Sequence, residues 1–264
     1  MAKARRRNSN RPAGPRAGGS GADALETYWL RSQRPLHVLV FLLPLVLAYE
    51  VGSVVFLTDP ATRTQIGVAA NRLLSDFFHV FGLAAAFLPG VALMVVLLVW
   101  HVLVRDRWML DPKTLGGMFI ESLAWTLPLL VLAAASSHAQ SALAMAGTDL
   151  HSLPVGARMT IAVGAGLYEE MLFRMVGLAL LHFILVDLIG LKERVGSGVA
   201  VVVAALAFAV YHQPTLPAQW PVFVFMTLAG VYFGTVYMMR GFGIVVATHA
   251  IYDVVVLVVF PNMR

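Results

Sequence analysis

The stretch IAVGAGLYEEMLFRMVGLALL, Ile161–Leu181, decides how this chain reads. It is apolar enough to cross a bilayer, which takes about 20 residues. Yet it carries Glu169, Glu170 and Arg174. A carboxylate at the centre of a membrane helix costs roughly 2.5–3.5 kcal/mol on insertion scales. Two adjacent ones therefore need a partner or a use. Arg174 follows Glu170 by four residues, so the two share a helix face and can pair. A polar cluster at membrane depth is by default a functional site.

The composition around this stretch is that of an integral membrane protein. Of 264 residues, 59% are hydrophobic and 12% charged, where a soluble domain carries about 25% charged residues. The mean hydropathy is +0.79. One membrane domain and a tail account for the length, and no large soluble domain fits. The formal charge of +5 does not point to nucleic acid. The basic residues lie at the amino terminus and in short loops beside apolar segments, as the positive-inside bias requires. There are no cysteines, which excludes disulfides, thiolate metal sites and a cysteine nucleophile.

The expected fold is an all-α polytopic bundle of about seven transmembrane helices with an interfacial helix. Residues 1–34 are rich in Arg, Gly, Pro, Ser and Ala. They read as a basic, largely disordered cytoplasmic tail, with Tyr28, Trp29 and Leu30 beginning an interfacial anchor. Residues 35–264 form the transmembrane domain. Its apolar spans fall at about 36–57, 82–104, 115–135, 158–181, 196–213, 222–239 and 243–260. The segment at about 63–80 reads as an amphipathic interfacial helix with Leu73, Leu74, Phe77 and Phe78 on one side. Placing the amino terminus in the cytoplasm puts fourteen Lys and Arg inside and four outside, with Arg174 within a span. That asymmetry sets the expected orientation. The compact, loop-poor chain suits a bacterial inner membrane.

Two further spans carry polar groups. LAFAVYHQP places His212 at the end of the fifth span, with Pro214 next to it to end or kink the helix. GIVVATHAIYDVVVLVVF presents His249 and Asp253 at i and i+4, on one helix face. Glu50 and Glu121 sit in the first and third spans, where either lines a water path or braces the site. Together these groups make a buried site from three helices. One carboxylate acts as general base on a water, in surroundings dry enough to suit it to that work. Glu170 with Arg174 is the structural ion pair, and Glu169, about 100° around the helix, is free to face the water. His212 and His249 either donate to an oxyanion or, with Asp253 or Glu169, ligate a divalent metal such as zinc and leave a position open for water. The sequence leaves both chemistries open. His37, His79, His101, His138, His151 and His182 lie near span ends or loops and read as interfacial.

These segments resemble the family of CAAX proteases and bacteriocin-processing enzymes, the Rce1-like glutamate-dependent intramembrane proteases. The family's Glu-Glu-x-x-x-Arg appears as EEMLFR, Glu169 to Arg174; its Phe-x-x-x-His as FAVYH, Phe208 to His212; its His-x-x-x-Asn or Asp as HAIYD, His249 to Asp253. Each motif alone is weak, but all three in order are specific. The likeness covers about 158–260, the expected catalytic core. It implies endoproteolysis near the membrane, with Glu169 activating the water, Glu170 and Arg174 supporting it, and His212, His249 and Asp253 completing the site. The substrate is then a membrane-anchored or exported protein or peptide, met in the lipid bilayer. The prenylated substrate of one branch is not carried over. Two rival readings use the same residues: a proton-coupled transporter with these groups as relays, and a non-catalytic scaffold or immunity protein of the same fold. No internal repeat supports the transporter.

Simple counting raises a difficulty of depth. Glu169 falls near mid-membrane, His212 toward the outer end of its span and His249 toward the inner side of its own. They meet only if a boundary shifts or a helix breaks, with Pro214 and Gly241/Gly243 as the break points.

Overall fold

The computed structural model describes residues 21–58, 68–80, 82, 87–135, 150–212 and 220–260. They fold as helices, with no strand among the described residues. In chain order these are α1 (Gly21–Ser32), α2 (Pro35–Phe56), α3 (Ala69–Val80), α4 (Leu88–Val104) and α5 (Pro112–Ala135). Then come α6 (Val155–Leu188), α7 (Glu193–Tyr211), α8 (Trp220–Arg240) and α9 (Phe242–Val259). Six of these are long and apolar enough to cross a membrane; α4, at Leu88–Val104, is apolar but shorter. Together they make up the polytopic bundle, with α3 as the separate amphipathic helix. Its Leu74 packs on the core while Leu73 and Phe77 are exposed.

Proline sets several helix starts. Pro35, Pro89 and Pro112 stand in first turns, where the missing N–H is unpaired in any case. Val91, Val95, Val99 and Leu103 of α4 are exposed, as a lipid-facing surface allows. The inner faces of α2, α4, α5, α6, α8 and α9 share one core, among them Leu42, Leu93, Met118, Leu167, Phe233 and Val246.

Two expectations are corrected. Residues 1–34 read as a largely disordered tail with an anchor beginning at Tyr28, but Gly21–Ser32 form a helix. Its far end is pinned by side chains: Tyr28 donates to Glu121 at 2.6 Å and Arg31 meets Asp111 at 3.0 Å. The fourth span was placed at 158–181, yet α6 runs to Leu188. Met171–Leu178 and Phe183–Leu188 of it are wound as π-helix, a form that concentrates at functional sites.

The longer α6 removes the difficulty of depth. From Glu169, nineteen residues lead to Leu188; from Glu193, nineteen lead to His212. The two helices form an antiparallel hairpin turned at Gly190, whose φ of 79° suits glycine. Glu169 and His212 therefore stand equally far from the turn and meet side by side. Pro214 lies outside the described residues. The other expected break is present: Gly241, at φ 80°, separates α8 from α9 and its N–H bonds Tyr237 O at 2.8 Å.

Candidate active site

The site is assembled where α6, α7 and α9 meet, and glycine sets how closely. A Cβ on Gly166 would stand 2.7 Å from the backbone N of Ala250. Only a residue without one lets α9 approach α6 this far, and His249 is the residue next to Ala250. A Cβ on Gly230 would likewise stand 2.9 Å from Cα of Ala205, which seats α8 against α7.

Glu170 is fully buried and anchors the cluster. Its Oε1 lies 3.0 Å from Nη1 of Arg174 and 2.6 Å from Nδ1 of His249. Arg174, also buried, passes a second arm to the Gly230 carbonyl at 3.3 Å. Its guanidinium lies 4.5 Å from the Phe208 ring centre and 5.3 Å from that of Phe233. The aromatic faces replace some of the solvation that burial removed. Glu170 and Arg174 are thus the structural pair expected from their spacing, and His249 joins them.

Glu169 is placed differently. Arg174 takes Glu170, and the ion-pair neighbours of Glu169 among the described residues are two imidazoles. Its Oε2 lies 3.5 Å from Nε2 of His212 and 4.0 Å from Nε2 of His249. The far sides of both rings are already committed. Nδ1 of His212 is 2.9 Å from the Phe208 carbonyl, an acceptor, so the nitrogen carries the proton. Nδ1 of His249 serves Glu170 in the same way. Nε2 is therefore the working atom of each ring. Asp253 closes the arrangement, with Oδ2 3.4 Å from Nε2 of His249. All six expected residues come together, in the order His212, Glu169, His249, Asp253, with Glu170 and Arg174 behind.

Among the described residues, no group of three or more His, Asp or Glu side chains is arranged to hold a metal ion. The candidates Glu169, His212, His249 and Asp253 form a chain of pairwise contacts instead. Two carboxylate oxygens, Glu170 Oε2 and Asp253 Oδ1, have no hydrogen-bond partner among the described residues.

Three contributors were not legible in the sequence. Phe233 of α8 stacks on the His249 ring at 4.5 Å, with planes 20° apart, and fixes its plane. Phe173 meets Tyr211 edge-on at 5.3 Å. The Tyr211 ring in turn lies 4.9 Å from that of His212. Adjacency of Tyr211 to His212 was the available signal, but it says nothing of direction.

Glu50 and Glu121 lie elsewhere. Tyr168 donates to Glu50 at 2.8 Å. Glu121 joins Tyr28, Trp125 and Arg240, so it braces α1, α5 and α8. The histidines read as interfacial divide: His79 is exposed, but His37 and His101 are buried. His37 accepts from the Asp111 N–H, and the His101 ring packs edge-on against Trp108 at 4.4 Å. His138 lies outside the described residues.

Residues 151–255 match the family described as type II CAAX prenyl endopeptidase Rce1-like. The matched stretch holds all three motifs and nearly coincides with the expected core. This is a protease family, so the resemblance read from the motifs is borne out. Neither a curated protein nor a solved structure matches the chain.

Proposed function

We propose that this chain, with its Rce1-like protease region at 151–255, is an intramembrane endopeptidase that uses Glu169 to activate water. Its substrate is a membrane-anchored or exported protein or peptide, cut near the membrane. One observation carries the reading: the Glu169 carboxylate faces two imidazole Nε2 atoms, while the Arg174 guanidinium pairs with Glu170. The result is a carboxylate held in place yet left able to accept a proton.

The reaction follows from that placement. A water between Glu169 and His212 gives one proton to the Glu169 carboxylate, and the lone pair of a neutral His212 Nε2 orients the water's other O–H. The hydroxide attacks the peptide carbonyl carbon. His249, carried as imidazolium between Glu170 and Asp253, donates from Nδ1 to Glu170 and from Nε2 to the oxyanion. The cationic ring and Arg174 offset the carboxylates around them, which keeps the buried charge low. The carbonyl re-forms, the C–N bond breaks, and Glu169 returns its proton to the leaving nitrogen. Asp253 and Glu170 orient His249, as a second carboxylate orients a catalytic imidazole elsewhere.

The Lys and Arg distribution supports a cytoplasmic amino terminus, and the loop-poor bundle suits a bacterial inner membrane. The test is comparative profiling of peptide termini in membrane and exported proteins. Cells with the wild type should show termini that cells with Glu169→Gln lack. Equal profiles at equal expression would sink the role of Glu169.

A further inference from the structure

The connection between α4 and α5 carries a surface that the proposed chemistry does not use. Residues 106–111 are not helical, yet they are tied down at both ends. Oδ1 of Asp106 lies 3.4 Å from Nη1 of Arg34, and Oδ2 of Asp111 lies 3.0 Å from Nη1 of Arg31. The Asp111 N–H donates to Nε2 of His37 at 3.3 Å, and the Thr114 hydroxyl donates to Asp111 Oδ2 at 3.0 Å. Between these tethers the Trp108 ring packs edge-on against the buried His101 ring at 4.4 Å. The segment therefore holds one shape. Even so, Trp108 is 65% exposed and Met109 66%, with Leu110 exposed beside them. Three consecutive large apolar side chains are held outward, and such a patch marks a contact surface.

We infer that this loop is a lipid-docking surface: Trp108, Met109 and Leu110 enter the boundary between headgroups and acyl chains, and Arg105, Arg107 and Lys113 bind the phosphates of anionic phospholipid. Charge complementarity selects the partner. The two carboxylates of the loop are spent on Arg31 and Arg34. Arg105, Arg107 and Lys113 are exposed and have no carboxylate partner among the described residues. An apolar tip with free cations around it fits an anionic headgroup layer, where aromatic and basic side chains both gain. The length of α4 points the same way. Its 17 residues rise about 25 Å, short of the roughly 30 Å hydrocarbon core. Leu103 and Val104 at its end are exposed, and the loop supplies further apolar surface where the helix stops short. Arg31 and Arg34 serve this surface from the side, since unpaired carboxylates at 106 and 111 would repel the headgroups.

The test uses the full chain in bilayers of phosphatidylcholine with and without phosphatidylglycerol. It compares wild type, Trp108→Phe and a triple variant, Arg105→Gln with Arg107→Gln and Lys113→Gln. The emission of Trp108 is the difference between wild type and Trp108→Phe. Lipids brominated near the headgroup should quench it more strongly than iodide in the water does. The lipids retained on the purified protein are then counted. Wild type should retain phosphatidylglycerol in preference to phosphatidylcholine. The triple variant should lose that preference by about fivefold for each charge removed, and raised salt should weaken it in wild type. An unchanged unfolding midpoint in neutral detergent shows that the triple variant is folded. Should it not fold, Lys113→Gln alone is read in the same way, with a loss of about fivefold. Trp108 emission quenched by iodide and not by the brominated lipids overturns the inference and leaves the tip to a protein partner. A lipid preference unchanged in the folded variant overturns it as well, and assigns the preference to other cations of the chain.

Discussion

Two carboxylate–arginine clusters among the described residues, one half-buried and one buried, are finished differently. At the junction of α1, α5 and α8, Glu121 is saturated. Its Oε1 accepts from Trp125 Nε1 at 3.1 Å and from Arg240 Nε; its Oε2 accepts from Tyr28 at 2.6 Å and Arg240 Nη2 at 2.7 Å. The guanidinium lies 3.6 Å from the Trp29 ring centre and passes a bond to Ser32. At the junction of α6, α7 and α9, Glu169 has only imidazoles at 3.5 and 4.0 Å as ion-pair neighbours, and Glu170 and Asp253 each keep an oxygen unpartnered. Each cluster keeps an arginine nitrogen without a hydrogen-bond partner among the described residues, Arg240 Nη1 and Arg174 Nη1; what separates them is the carboxylate, which on Glu121 accepts from three side chains and on Glu169 faces only distant imidazoles. The first cluster is a brace. The second is where the proposed chemistry takes place.

Substitutions sharpen or break this contrast, and the largest effect is expected on catalysis. Glu169→Gln should slow cleavage by roughly 10²–10⁴-fold, the usual contribution of a general base, with the unfolding midpoint nearly unchanged. A large loss of stability in that variant would make Glu169 a second brace. Arg240→Ala should do the reverse. It strands Glu121 beside hydrocarbon and should destabilise the bundle by about 3 kcal/mol or more, while the molecules that stay folded keep their turnover. Denaturant unfolding in detergent, with activity per folded molecule, separates the two.

Gly166→Val sits between these extremes. Its side chain would collide with the Ala250 backbone and push α9 from α6. Overpacking of this kind costs about 1–3 kcal/mol, and the displaced His249 should lower cleavage as well. The smallest effect belongs to an exposed carboxylate outside the spans. A bond from the Thr114 hydroxyl, then those from the Lys113 amide and Arg31, holds the Asp111 carboxyl below its usual range. A depressed folded value means that its stabilisation is present above the unfolded pKa of about 3.9. It is lost as pH falls through the lower folded value. Asp111→Asn should remove that acid dependence from the unfolding midpoint and leave cleavage untouched.

Most of the bundle was legible because hydropathy and proline placement report directly on span and helix start. Five of the seven spans match helices within a few residues; the fourth runs on to Leu188 and the second shortens to Leu88–Val104. The residues of the candidate site were legible because three motifs in order mark them. Their meeting was not. Counting along straight helices kept Glu169, His212 and His249 apart, since nothing in 182–188 marks that α6 continues as π-helix to Leu188. The helix at Gly21–Ser32 was missed for a related reason. Its composition is that of a tail, and its order depends on Glu121 and Asp111, far along the chain. Phe233 and Tyr211 escaped because a partner ring on another helix carries no mark in local sequence.

The central claim is that the unsaturated cluster acts and the saturated one only holds. The most direct measurement reconstitutes wild type, Glu169→Gln and Glu121→Gln in lipid vesicles with the substrate that terminal profiling identifies. Cleavage rate is followed beside the unfolding midpoint. The account predicts that Glu169→Gln stays folded and stops cleaving, whereas Glu121→Gln loses stability and, where folded, still cleaves. Cleavage that survives Glu169→Gln, or that stops in folded Glu121→Gln, would contradict it.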